Sequence, residues 1–475
     1  MTTTTAKRKS GPPARWQPRR IARERLLLEA TDHGHPVTIP PANFCQRSDD
    51  WGSYADTFVR FNAESLKALD VRVEISSSAN GMTVVLVPGE RAGAAPLRSG
   101  LTGRVVGGLL VRPRFGWPGV GQILQETGWH ASPELLNLPM VPGSAREVPP
   151  WVLAGPVLTR LEALLRSMSP GYVQDEEVLS RPRGHILWKQ YLTNSMVRGD
   201  WHHVPCRFPD LAMDPLLRRH IRWALEKLHR SLLGAGGSDP VALSLIALAI
   251  RLIESLADVA PLMPRREEIE KRVIGSRIVG QALRRGIEAI GWIVDERGLG
   301  GGSERDGLAW ALHLEKLWEN YVEGVYRREA ADTGGDVRVG RLGETVFPLE
   351  WSDPTHRTLG HLVPDIVIRR GRSVQVVDAK YKAHLAEVDD MGWRKFEEET
   401  REAHRADLHQ VLAYASLYEA EEITATLVYP LRLSTFLSLR ERHRDRSFAD
   451  LLHGGRRVRL ELRGLPFGFQ HAASE

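Results

Sequence analysis

Cysteine is almost missing from this chain. Its 475 residues hold only Cys45 and Cys206, far apart and in no C-x-x-C pairing, which excludes a disulfide framework and a thiolate zinc site. Two buried, inert thiols are expected. Long apolar runs are missing too. The longest, Val241 to Ile250, is broken by Arg251, well short of the ~20 residues that span a bilayer, so no membrane segment is expected. The N-terminus has no apolar stretch of the kind a secretory leader needs, and a cytoplasmic location is expected. No G-x-x-x-x-G-K-[ST] phosphate loop occurs, so the chain is not its own nucleotide-driven motor. Repeats at solenoid periods are absent as well.

An excess of one charge sign is also lacking, despite a net charge of +5. Residues 1–20 hold six basic and no acidic side chains, so the remainder sums to −1. Composition alone therefore does not mark a nucleic-acid protein. The arm at 1–20 reads as a disordered, solvated basic tail, with contact to DNA phosphates as the alternative.

The length exceeds one compact core and suggests two or three domains at ~150 residues each. Residues 21–130 read as a β-rich head, with short β-branched runs such as Val71–Ile75 and Thr83–Val87 between Gly, Ser, Asn and Pro clusters. From 131 to 300 the apolar residues take helical spacing, in Val157–Leu165, Leu216–Leu233, Val241–Leu256 and Ile269–Val294. This predicts an α-helical middle domain. A Gly-rich break at Gly298–Gly307 then separates a C-terminal domain, 307–470, and should let it fold independently. There the pattern predicts a helix over about Leu308–Arg328, strands near Glu344–Leu349, Pro364–Ile368 and Val374–Ala379, a helix over about Asp407–Glu419 and a strand at Thr424–Tyr429. The expected class is a multidomain α+β protein ending in an α/β domain, a mixed sheet flanked by helices.

Two words carry chemistry: V-P-D-I-V-I at Val363–Ile368 and V-V-D-A-K-Y-K at Val376–Lys382. The short turn between them predicts an antiparallel hairpin, and period-2 geometry puts Asp378 and Lys380 on one face with Asp365 across from them. A carboxylate set among apolar residues is costly unless compensated. Two of them about 5 Å apart repel by roughly 3 kcal/mol at an effective dielectric of ~20, which calls for a cation between them. Mg²⁺, with Mn²⁺ able to substitute, suits two carboxylates and activates water for phosphodiester hydrolysis. Lys380 adds a positive charge for water or phosphorane. The bland alternative is an edge hairpin with ordinary solvated Asp and Lys. Against it stands the joint order of P-D, hairpin, D-x-K and a following helix with Q-x-x-x-Y at Gln410 and Tyr414. Gln410 orients a water or phosphate in this reading; the alternative is a plain surface Gln.

These words resemble the McrC family, the nuclease subunit of McrBC-type modification-dependent restriction systems, whose nuclease domain is of the PD-(D/E)xK, restriction-endonuclease-like type. G-G-L-L-V-R-P-R-F-G-W at Gly107–Trp117 resembles a strand of the family's head. G-Y-V at Gly171–Val173, R-P-R-G-H-I-L at Arg181–Leu187 and V-P-C-R-F-P-D-L-A-M-D-P-L-L at Val204–Leu217 resemble its central signature. L-W-E-N-Y-V at Leu317–Val322 resembles its first nuclease helix, followed in order by P-D-I-V-I, D-A-K-Y-K and L-H-Q-V-L-A-Y-A. The likeness runs over about residues 100–430.

The resemblance implies a Mg²⁺-dependent endonuclease with Asp365, Asp378 and Glu319 at the metal, Lys380 and Gln410 catalytic, and Tyr414 and Lys382 in support. Glu315, Glu319 and Glu323 recur every four residues, and spacing alone favours Glu315, nearest the apolar face of Leu314, Leu317, Trp318, Tyr321 and Val325. The family's apolar-aromatic-Glu pattern selects Glu319 instead; a solvated Glu is the alternative. The implied partners are double-stranded DNA and a hexameric AAA+ GTPase (McrB-like) docked on the head. Other readings are a non-cleaving adaptor of such a motor and a stand-alone repair nuclease. The chain departs from the family at Asp214–His220, where an expected Asn is missing, and in the charged insert 387–406.

Overall fold

The computed structural model describes residues 26–78, 81–129, 131–144, 147–235, 239–275, 280–295, 306–352, 359–382, 398–453 and 456–468. The basic arm, nearly all of the Gly-rich break and residues 387–397 of the insert lie outside these. The molecule is a mixed α/β protein with a β-rich N-terminus and several sheets. Among the described residues no helix is long and apolar enough to cross a membrane, and both cysteines are buried and free.

The N-terminal part holds β1 (Leu26–Thr31), α1 (Trp51–Ala68), β2 (Val71–Ser78), β3 (Gly81–Pro88), β4 (Arg91–Arg98), β5 (Val105–Arg112) and α2 (Trp117–Glu126). The two expected β-branched runs are β2 and β3. Helix α1 was not expected; Trp51, Ala55, Phe58, Asn62 and Leu66 give it one buried face at three-to-four spacing. The following region carries α3 (Pro150–Ser167), β6 (Gly171–Leu179), β7 (Val204–Ala212), α4 (Pro215–Ala235), α5 (Pro240–Glu254), α6 (Arg266–Gly275) and α7 (Gln281–Val294). It is helical as the spacing predicts, with one addition: β6 and β7 pair antiparallel into a long hairpin. Nothing in the helical periodicity announced it.

A helix expected from Leu308 begins later. Trp310–His313 is instead a strand, β8, antiparallel to β4, and the helix α8 runs Leu314–Thr333. The reason is burial on both faces: Trp310, Ala311 and Leu312 are all 1–2% exposed, an environment that favours a central strand over an amphipathic helix. The N-terminal sheet thus contains β1, β5, β4, β8 and the short strand Glu134–Leu135, in that order. Its fourth strand comes from beyond the Gly-rich break.

The C-terminal sheet is built from β9 (Asp336–Val339), β10 (Ile366–Arg370), β11 (Ser373–Ala379), β12 (Glu422–Leu431), β13 (Arg446–His453) and β14 (Arg456–Pro466), with α9 (Glu398–Ser416) and α10 (Leu433–Glu441). Its order is β9-β10-β11-β12-β14-β13. Strands β10 and β11 form the expected antiparallel hairpin, turned at Gly371 with φ +56°, a conformation that favours glycine. Strand β12 runs parallel to β11. One apolar core joins α2, the middle helices and α8 to Ile366, Val377, Tyr381 and Phe467 of this sheet.

Candidate active site

Antiparallel pairing of Ile366 with Val377, continued by one residue, sets Asp365 opposite Asp378. Asp378 lies inside the sheet beside Leu427 of β12 and is 2% exposed. Asp365 is partly exposed; its Oδ2 accepts a hydrogen bond from the Ala379 amide at 2.9 Å. Lys380 is fixed by its backbone amide, which donates to Val428 O at 2.9 Å. Its Nζ reaches Asp378 Oδ2 at 2.8 Å and donates to Gln410 Oε1 at 2.9 Å. Gln410 in turn donates through Nε2 to the Tyr414 hydroxyl at 2.9 Å. Lys382 Nζ pairs with both oxygens of Asp407, at 2.8 and 2.9 Å.

Helix α8 packs on the sheet, its Trp318 indole donating at 3.3 Å to Val428 O, the same carbonyl that accepts from the Lys380 amide. This presents Glu319 to the two aspartates. Burial first, then the charges of Glu315 and Asp378, push its carboxyl up to about 7. Glu315 is exposed and faces Glu90 from the N-terminal part, whose carboxyl is also pushed up to about 7 by burial and by its hydrogen bond with Glu315. Glu323, the third of the series, is buried in ion pairs with Arg327 and Arg341, at 2.8 Å each.

Burial, then Asp378 and Glu319, hold Asp365 well above the ordinary carboxylate range. Asp378 is raised by burial, against the pull of Lys380 and a hydrogen bond with Asp365. Lys380 stays above its usual value although burial opposes its charge, because Asp378, Asp407 and Asp365 surround it. The pair, one carboxylate buried and the other partly exposed, is therefore short of positive charge even with the ammonium in place. A proton or a divalent cation satisfies it, and the all-oxygen donor set suits Mg²⁺, which takes one or two carboxylates and retains water. Among the described residues no three His, Cys, Asp or Glu converge into a ligand set by themselves. Glu319 stands beside the Asp365–Asp378 pair rather than within it.

All seven residues singled out from the sequence, Asp365, Asp378, Lys380, Glu319, Gln410, Tyr414 and Lys382, are in this neighbourhood. Sequence reasoning missed Asp407, 4% exposed, although it precedes Gln410 by one helical turn. It also missed Glu90, for which no local signal exists.

The intervening Tyr381 is held from the other side. Its hydroxyl donates to Asp32 Oδ2 at 3.0 Å, Arg114 lies over its ring at 4.6 Å, and Arg114 Nη2 donates to its carbonyl at 3.1 Å. Asp32 is fully buried and also accepts from the Arg114 amide at 2.5 Å.

The C-terminal mixed sheet thus gathers Asp365, Asp378, Lys380 and Gln410 into one candidate site. A family model described as McrBC 5-methylcytosine restriction system component matches residues 156–430. The chain belongs to that family, as its McrC-like motifs imply. Among solved structures, a half-complex from a tetradecameric assembly of Thermococcus gammatolerans McrB AAA+ hexamers with bound McrC is similar at 15% identity and a TM-score of 0.40, over 94% of this chain and 97% of that one. The McrBC complex of the same organism is similar at 14% identity and a TM-score of 0.26, over 64% and 88%. A search of curated proteins finds no match.

Proposed function

We propose that the chain is the DNA-cutting subunit of a two-component restriction system, a Mg²⁺-dependent endonuclease of the PD-(D/E)xK type that works with an AAA+ GTPase motor. The observation that carries this is the apposition of Asp365 and Asp378 across the hairpin, with Lys380 Nζ 2.8 Å from Asp378. A purely structural hairpin gains nothing from burying two like charges together.

Asp365 and Asp378 hold the cation, which supplies Lewis acidity for phosphodiester hydrolysis. Lys380 offsets negative charge developing on the phosphate. Gln410, fixed by Lys380 and Tyr414, orients the phosphate or the attacking water. Glu319, half-buried beside the pair, supplies a carboxylate at its flank, and Lys382 with Asp407 braces the end of the strand. The motor docks on the part before the C-terminal sheet; exposed Tyr172, Trp188, Val197 and Trp201 around the β6–β7 hairpin offer apolar surface of the kind that partners cover.

The test is cleavage of duplex DNA containing 5-methylcytosine by the full chain with its motor and GTP. Cutting is expected with Mg²⁺ or Mn²⁺ and none in excess EDTA. Undiminished cutting in EDTA would remove the carboxylate pair from the chemistry. Asp378→Asn should keep the stimulation of GTP hydrolysis and lose the cutting.

A further inference from the structure

We infer that a cationic cavity beside α8 seats a backbone phosphate of the DNA, an interaction that rests on the endonuclease reading and lies outside the carboxylate site. The cavity, about 760 Å³, is lined by Arg160 of α3, Arg285 of α7, His313, and Lys316 and Asn320 of α8, with Glu134 the one acid on its wall. Three permanent cations thus meet one carboxylate.

The cations there form no direct ion pairs: among the described residues no acid lies within ion-pair distance of Arg160, Arg285 or Lys316, while the nearby Glu288 is taken by Arg284 at 2.9 Å. Arg160 is half-buried with its guanidinium over the Trp292 ring at 4.5 Å, so its direction is fixed in advance and little entropy is lost on binding. Burial, and then the neighbouring Arg285, work against its charge and outweigh the more weakly felt Glu288 and Glu134. Like-charged groups gathered in a concave, half-dry wall leave a deficit that an anion relieves.

The wall also says which anion. Apart from His313 it carries no aromatic ring, so no platform stacks a nucleobase as a free nucleotide would need. Guanidinium forks match phosphate oxygens. Lys316 and Asn320 sit about 100° around α8 from Glu315 and Glu319, the rotation per residue of a helix. The cavity and the carboxylate site therefore share α8, which gives Lys316 and Asn320 to one and Glu319 to the other.

The test is the salt dependence of binding of a fluorescent 5-methylcytosine duplex to the full chain in EDTA, where no cutting interferes. Removing a cation that neutralises one phosphate flattens the slope of log K against log salt by about 0.9. Arg285 and Lys316 are exposed, so the double variant Arg285→Ala/Lys316→Ala should keep the wild-type melting temperature and show a slope shallower by about 1–2. Arg372→Ala, at the β10–β11 turn, should leave the slope alone. An unchanged slope in the folded double variant overturns the inference. So does loss of GTP binding in that variant without a change in slope, because the phosphate would then belong to a nucleotide. Wild-type protein that cuts DNA while the variants bind like it sinks only the cavity; wild-type protein that neither binds nor cuts DNA sinks the endonuclease reading as well.

Discussion

Lys380 carries two opposing demands. It is the counter-charge of Asp378, which is 2% exposed, and its own side chain is only 15% exposed. Lys380→Ala should abolish cutting and also disturb the fold, since removing one partner of a buried pair leaves a charge uncompensated. Asp378 is already raised above the ordinary carboxylate value, and without the ammonium it rises further. A carboxyl raised on folding contributes its full stability below the unfolded value, and loses it as pH climbs through the folded one. In EDTA the variant should therefore lie closest to wild type near pH 5 and furthest below it near pH 8. Equal losses of melting temperature at both would show that Lys380 and Asp378 are not coupled. At this scale Asp365, Asp378 and Lys380 were legible because a hairpin and period-2 alternation are local. Glu315 was the better choice on the helical wheel alone, yet it faces Glu90 while Glu319 faces the aspartates. Helix rotation relative to the sheet is set by Trp318 against Val428, a contact more than a hundred residues apart in sequence.

Among the elements, β11 and its continuation are gripped from both sides. One face offers Asp378 and Lys380 to the site, while Tyr381 is locked into Asp32, Arg114 and Phe115 of the N-terminal part, the last at 5.8 Å ring to ring. Tyr381→Phe keeps the ring stacking and removes the one hydroxyl donor to a fully buried carboxylate. The loss expected for an unsatisfied buried acceptor is about 1–3 kcal/mol, measurable as a lower denaturant midpoint with unchanged slope. Tyr381→Phe at wild-type stability would mean that Arg114 alone satisfies Asp32. The hairpin, the helix with Gln410 and the strand Thr424–Tyr429 were readable from periodicity. The strand at Trp310–His313 was not, because a segment buried on both faces loses the alternation that distinguishes strand from helix. The hairpin β13–β14 that completes the sheet drew no expectation either.

At the scale of the whole molecule, the Gly-rich break is crossed by structure that the sequence does not foretell. Strand β8, just after it, sits between β4 and the short strand Glu134–Leu135, and the core runs without interruption from α2 to Phe467. A chain ending near Arg297 lacks β8 and exposes the partners of Trp310 and Leu312, both 1% exposed in the intact protein. Conversely, a chain starting near Gly307 leaves β8 without its sheet and Tyr381 without Asp32. Each piece alone should melt far below the full chain or aggregate, since losing a central strand strips apolar burial from both sides at ~25 cal/mol per Å². Expressed together, the two pieces should associate and recover the fold, because the contacts that join them are non-covalent strand pairing and packing. Co-purification of the pieces, with cooperative unfolding near that of the intact chain, is the expected result. Two pieces that each unfold cooperatively and pass through a sizing column separately would show instead that the parts are independent, and that a motor docked before the break senses nothing of the site after it.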